Sequence, residues 1–114
     1  MAARLSVRLA LDLEENRPVK HPVVAVHPDT GRKLLNVNYN WTTEIIGIPT
    51  PESRMLLDFL YQHVRNPEFH VRMHWQPGDI AFWDNRSTQH YAANDYYPNR
   101  RLMERTAVVG DVPV

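Results

Sequence analysis

Residues 67–84 read PEFHVRMHWQPGDIAFWD. Phe69, Val71, Met73 and Trp75 alternate with His70, Arg72 and His74. A period of two is the signature of a strand with one apolar and one wet face. Pro77-Gly78-Asp79 then supplies turn chemistry, and IAFWD (80–84) resumes as a further strand. This stretch predicts a mostly-β fold rather than a helical one.

The same reasoning covers the rest of the chain. Leu5, Val7, Leu9, Leu11 and Leu13 alternate over residues 5–13 and predict a strand, with helix open because Leu, Arg, Ala and Glu also favour it. PVVAV (22–26) and LLNVN (34–38) flank HPDTG (27–31), a strand–turn–strand pattern that predicts a hairpin. One main helix is expected after Pro49. Thr50 is placed to cap it, Pro51 and Glu52 suit its first turn, and Leu56, Leu57, Leu60 and Val64 form its apolar stripe. Asn66-Pro67 stops it. A last strand is expected at 101–109. One helix among five or six short strands predicts a mostly-β domain. Such domains hide their edges by closing into sandwiches, barrels or jelly rolls.

The bulk numbers narrow the function. With 114 residues the chain is one small domain. Lys plus Arg number 13 and Asp plus Glu number 13, so no basic excess points to nucleic acid or a membrane surface. Cysteine is absent, which removes disulfides and thiolate metal sites and fits a cytoplasmic, reducing setting. No apolar run reaches the length of a membrane span.

On a strand over 101–109, Arg101, Met103 and Arg105 would share one face. A guanidinium set among apolar neighbours needs an anion, and Arg holds planar anions through two parallel hydrogen bonds. Asp84, Asp95 or Glu104 could supply that charge internally. By type and spacing alone, His90 is as well explained by an ordinary structural histidine.

The region WDNRSTQHYAANDYYPNRRLMERTAVVGD (83–111) nevertheless resembles the C-terminal signature of the taurine dioxygenase family, the TauD/TfdA-type Fe(II)- and 2-oxoglutarate-dependent oxygenases. The likeness continues upstream through PEFHVRMHWQPGDIAFWDNR, ESRMLLDFLYQHV and HPVVAVHPDTGRKLLNVN, covering about residues 20–112. It implies that residues 21–114 are the C-terminal portion of a double-stranded β-helix, or jelly roll, with residues 1–20 unmatched.

Carried onto this chain, the resemblance implies four site residues. His90 would be the distal histidine of a two-histidine, one-carboxylate iron site. Arg101 would hold the remote carboxylate of 2-oxoglutarate. Arg105 would hold the sulfonate or sulfate of a small anionic organosulfur substrate, and Trp41 would wall its pocket. Asp84, Asn85 and Arg86 would shape the turn that aims His90. The implied reaction hydroxylates a taurine-like sulfonate or a sulfate ester next to the sulfur group, releasing sulfite or sulfate, succinate and carbon dioxide.

The family's other two iron ligands come from a His-x-Asp motif upstream of the region matched here. The chain's own His27-Pro28-Asp29 sits in a turn and is read as a decoy. His70 and His74 lie four apart on an expected strand, roughly 13 Å from each other, so they cannot share one metal. The chain is therefore expected to be inactive alone. A homo-oligomer or a missing N-terminal half is the implied partner. Two other readings stay open: a non-catalytic jelly-roll fragment, and a cupin-like module that clamps an anion without metal.

Overall fold

The computed structural model describes residues 6–9, as backbone, and residues 18–110. Among these, five short strands and one main helix form in chain order: β1 (Ser6–Leu9), β2 (Lys20–Pro22), β3 (Val24–Val26), β4 (Lys33–Leu35), β5 (Thr42–Ile46) and α1 (Thr50–Val64). A single turn of 3-10 helix, Pro67–Phe69, follows.

β1 is central in an antiparallel sheet of order β2-β1-β5, with Val7 opposite His21 on one side and Ile45 on the other. The strand expected over 5–13 is thus present at 6–9, and its residues 10–13 lie outside the described residues. β3 and β4 form the expected hairpin, pairing Val24 with Leu35, Ala25 with Leu34 and Val26 with Lys33. Its turn closes with His27 N–H donating to Arg32 O and Gly31 N–H to His27 O, both at 2.9 Å. Gly31 has φ 67°, a left-handed conformation that glycine adopts without steric cost.

The core is small. Val23, Val37, Ile45 and Leu57 are buried together, and Leu35, Ile48, Leu56, Leu60 and Tyr61 pack against them. Each of the four buried side chains contributes about 1.5–3 kcal/mol by leaving water. The helix presents the expected stripe, with Leu57 at its centre. Its start differs from the sequence expectation. Thr50 is the first helical residue rather than the cap, Pro49 occupies the cap position, and no side chain closes the end. Pro49 O accepts from Ser53 N–H at 2.9 Å, the first bond of the helical ladder. Ser53 is buried, and its Oγ accepts from Ile45 N–H at 2.7 Å, joining α1 to β5. Tyr61 OH donates to Thr42 O, 3.1 Å away, a second joint between the same elements. Partial burial there pushes the Tyr61 phenol pKa up.

The strands expected at 69–75, 80–84 and 101–109 do not form. Residues 70–110 contain no paired strand, and none of them is buried. The Pro77–Asp79 turn does appear as read, with Asp79 N–H donating to Gln76 O at 3.0 Å and Gly78 at φ 89°. Alternation states which face a segment would bury; it does not supply the neighbouring backbone that a strand must bond to. Among the described residues no second strand offers these segments that neighbour. Val71, Ile80, Phe82, Val108 and Val109 consequently stand 89–96% exposed.

Candidate functional site

The loop 84–90 is built by one aspartate. Asp84 Oδ1 accepts from Arg86 N–H (2.9 Å) and from Arg86 Nε–H (3.0 Å). Asp84 O accepts from Ser87 N–H (3.3 Å), Thr88 N–H (3.1 Å) and Thr88 Oγ1 (2.6 Å). An Asp followed by Asn, Arg, Ser and Thr is a sequence suited to such a turn, since short polar side chains bond the backbone two to four residues away.

The loop is tied down at both ends, at its start to the hairpin turn and at its end to residues just beyond β4. At its start, His27 Nε2 lies 2.6 Å from Asp84 Oδ2, and Arg86 Nη2 lies 2.8 Å from Asp29 Oδ2. At its end, Gln89 Nε2 donates to Val37 O (2.6 Å), and Asn38 Nδ2 donates to Gln89 Oε1 (3.4 Å). Arg86 and, after it, His27 and the Arg86 N–H hold the Asp84 carboxyl well below the usual carboxylate range. The same Asp84 bond pushes the Arg86 guanidinium up.

Facing this loop is a second turn, 38–42. Asn38 Oδ1 accepts from Asn40 N–H (2.9 Å), and Asn38 O accepts from Trp41 N–H (3.2 Å) and Thr42 N–H (2.8 Å). Thr42 Oγ1 in turn accepts from Asn38 N–H at 2.9 Å. This turn leaves Trp41 half-exposed at the rim.

Between the two turns lies a cleft of about 430 Å³, within the size range of small-molecule sites. His90, Trp41 and Arg105 all line it, together with Asn38, Arg86 and Gln89. Three of the four site residues inferred from sequence are therefore brought together. The fourth, Arg101, is not among the lining residues; its guanidinium stands over the Tyr96 ring, 5.8 Å from the centroid. The two arginines do not share a strand face, because no strand forms at 101–109. His90 packs against Trp83, with ring centroids 5.2 Å apart.

The charges are distributed unevenly. Arg86 is neutralised by Asp84 and Asp29, and Arg72 pairs with Asp95. Among the described residues no carboxylate pairs with Arg101 or Arg105. Of the internal partners considered for them, Asp84 and Asp95 are thus taken by other arginines. Arg105 enters the cleft as a cation open to an added anion.

His27 occupies the hairpin turn rather than the cleft, and it is buried. His70 Nε2 lies 3.0 Å from Val64 O, to which it donates. Among the described residues no three His, Cys, Asp or Glu side chains converge to hold a metal ion. Sequence reasoning missed Asn38 and Gln89, which join the two walls of the cleft. The only available signal was their place in otherwise uninformative loops. No helix among the described residues is long and apolar enough to cross a membrane.

Comparison with known proteins identifies the family. The model of the family described as "Taurine catabolism dioxygenase TauD, TfdA family" matches residues 6–107. An alkylsulfatase of Acinetobacter baylyi is 44% identical over 93 residues, which is 82% of this chain and 29% of the relative. An alpha-ketoglutarate-dependent sulfate ester dioxygenase of Pseudomonas putida is 42% identical over 95 residues, 83% of this chain and 31% of that protein. The crystal structure of a taurine dioxygenase from Burkholderia xenovorans superposes with a TM-score of 0.67 at 39% identity, covering 72% of this chain and 30% of that one. The chain spans about 30% of the length of the curated relatives it matches. A family match across residues 6–107, with relatives above 40% identity over most of the chain, means that the chain belongs to the TauD, TfdA dioxygenase family.

Proposed function

We propose that this chain is the C-terminal portion of a cytoplasmic Fe(II)- and 2-oxoglutarate-dependent dioxygenase. Its substrate is a small sulfonate or sulfate ester, hydroxylated on the carbon next to the sulfur group. The observation that carries this reading is the cleft lined by both His90 and the unpaired Arg105. The names of the alkylsulfatase and sulfate ester dioxygenase relatives supply the substrate class.

In this proposal Arg105 takes the anionic headgroup, Trp41 walls the pocket, and Arg101 takes the remote carboxylate of 2-oxoglutarate. Ferrous iron, when bound, would supply the activation of dioxygen that decarboxylates the cosubstrate to succinate and hydroxylates the substrate. The described residues do not fit that ion by themselves. A facial triad needs three ligands, and among the described residues His90 has no convergent pair. The other ligands come from polypeptide outside the chain. The same polypeptide supplies the strands that close segments 69–75, 80–84 and 101–109 into a jelly roll. Their unburied apolar side chains favour that completion.

The experiment has two arms. The chain alone, incubated aerobically with Fe(II), 2-oxoglutarate and either taurine or an alkyl sulfate, is expected to release neither sulfite nor sulfate. Joined to the preceding two-thirds of a family-length relative, it is expected to release one or the other with matching succinate. Turnover by the chain alone would contradict the need for completion. Succinate without sulfite or sulfate from the joined protein would move the substrate outside the organosulfur class.

A further inference from the structure

His27 has a sequence context that suggests a ligand and a structural position that gives it a different use. It is buried at 7% exposure, in the turn of the β3–β4 hairpin. Its Nδ1 faces Asp29 N–H at 3.2 Å and Thr30 N–H at 3.3 Å. A backbone N–H can only donate, so Nδ1 must accept and carries no proton. The ring proton of the neutral imidazole is then on Nε2, aimed at Asp84 Oδ2, 2.6 Å away and 57 residues distant in sequence. Both ring nitrogens are engaged, one within the turn and one across to the loop that ends in His90.

We propose that His27 is a positioning residue: as the Nε2–H tautomer it grips the Asp84 carboxylate and thereby fixes loop 84–90, which presents Gln89 and His90 to the cleft. Asp84 is the hub. Its carboxylate meets His27 and Arg86, and its carbonyl holds Ser87 and Thr88. Asp29 completes the clamp by holding the far end of the Arg86 guanidinium. The HPDTG turn and the WDNRST loop are thus one mechanical unit, and the His-x-Asp pair serves the site from behind rather than from within. The inference rests on the proposed function only for what His90 does once placed.

Two substitutions separate the two nitrogens. In His27→Asn the amide oxygen sits near the Nδ1 position and accepts the same two turn N–H groups, but the side chain is too short to reach Asp84. In His27→Gln the amide nitrogen sits near the Nε2 position and still reaches it. The readout is NMR on the isolated chain: histidine ring ¹⁵N shifts for the tautomer, and amide hydrogen exchange at Ser87 and Thr88. The wild type is expected to show the Nε2–H tautomer at His27. His27→Asn is expected to speed exchange at Ser87 and Thr88 by about tenfold and to displace the His90 ring resonances. Protection at Asp29, Thr30 and Ile45 is expected to be unchanged. His27→Gln is expected to restore most of the protection at Ser87 and Thr88.

An Nδ1–H tautomer in the wild type overturns the proposal. So does wild-type exchange at Ser87 and Thr88 in His27→Asn. Should His27→Asn also lose the Ile45 protection, Asp84→Asn decides: it preserves shape and removes the charge. Faster exchange at Thr88 supports the grip, and unchanged exchange there overturns it. Exchange reads the clamp even if His90 proves to bind nothing, so the two readings fail separately.

Discussion

Residues 18–66 and residues 70–110 carry the same kind of information in sequence and reach different ends in structure. Both have alternating apolar segments and well-formed turns. In the first region β2 and β5 pair with β1, α1 covers the sheet, and every buried residue among those described lies between Val23 and Leu57. In the second region the turns close but the strands do not pair, and no residue is buried. A turn is local, completed by residues within a few positions, whereas a strand is a demand on another segment. Where the partner lies within the chain, the pattern becomes structure.

Perturbing each region in turn puts this contrast at risk. The largest effect is expected from Leu57→Ala, which removes the centre of the core and should lower stability in urea by about 2–5 kcal/mol. A loss below about 1 kcal/mol would erase the distinction between the regions. Next in size, in an enzyme completed with its preceding two-thirds, Arg105→Ala should raise KM for the anionic substrate about 10- to 100-fold. Arg101→Ala should instead weaken 2-oxoglutarate by a similar factor. If both changes strike the same ligand, the two roles assigned to these arginines are wrong.

Ser53→Ala is expected to cost about 1–3 kcal/mol, because it leaves the buried Ile45 N–H without its acceptor. That value, read by denaturation, tests whether α1 is bonded to β5 or merely rests on it. Acid comes next. The Asp84 carboxyl titrates below its unfolded value, so its contribution to stability is present in full above the ordinary carboxylate range. That contribution should fade as pH falls through that range toward the depressed value. Amide exchange at Ser87 and Thr88, followed from neutral pH downward and corrected for intrinsic rates, should show loop 84–90 loosening below about pH 4. Asp84→Asn should abolish the dependence. The smallest effect is expected from Phe82→Ala. This side chain is 93% exposed, and its loss should change the stability of the isolated chain by no more than about 0.5 kcal/mol. In a completed jelly roll the same change should become a core-sized loss.

Much of the cleft was legible because its pieces are short range. Loop 84–90 follows from an aspartate and its next four residues, and the HPDTG turn from Pro, Asp and Gly in their usual places. Family resemblance singled out His90, Arg105 and Trp41, and the fold places all three around one cavity. The shared strand face of Arg101 and Arg105 was not fulfilled. It assumed a strand at 101–109, and Arg101 instead rests over Tyr96. The helix start was misread for a related reason. Thr50 looks like a cap by type, yet the backbone enters the helix one residue earlier, and Pro49 stands at the cap position with no side-chain oxygen to offer.

The hairpin, the presence of α1 and its stop, the turns and membership of the TauD, TfdA dioxygenase family are all written in the order of residues. The structural features among them depend on backbone preferences and bonds that span a few positions. The meeting of His27 with Asp84 and the reach of Gln89 to Val37 are products of packing, since these contacts span 57 and 52 residues. Packing also selected which alternating segments became strands. No local preference can encode those outcomes, because each requires a second backbone or side chain to arrive at bonding distance from elsewhere in the chain.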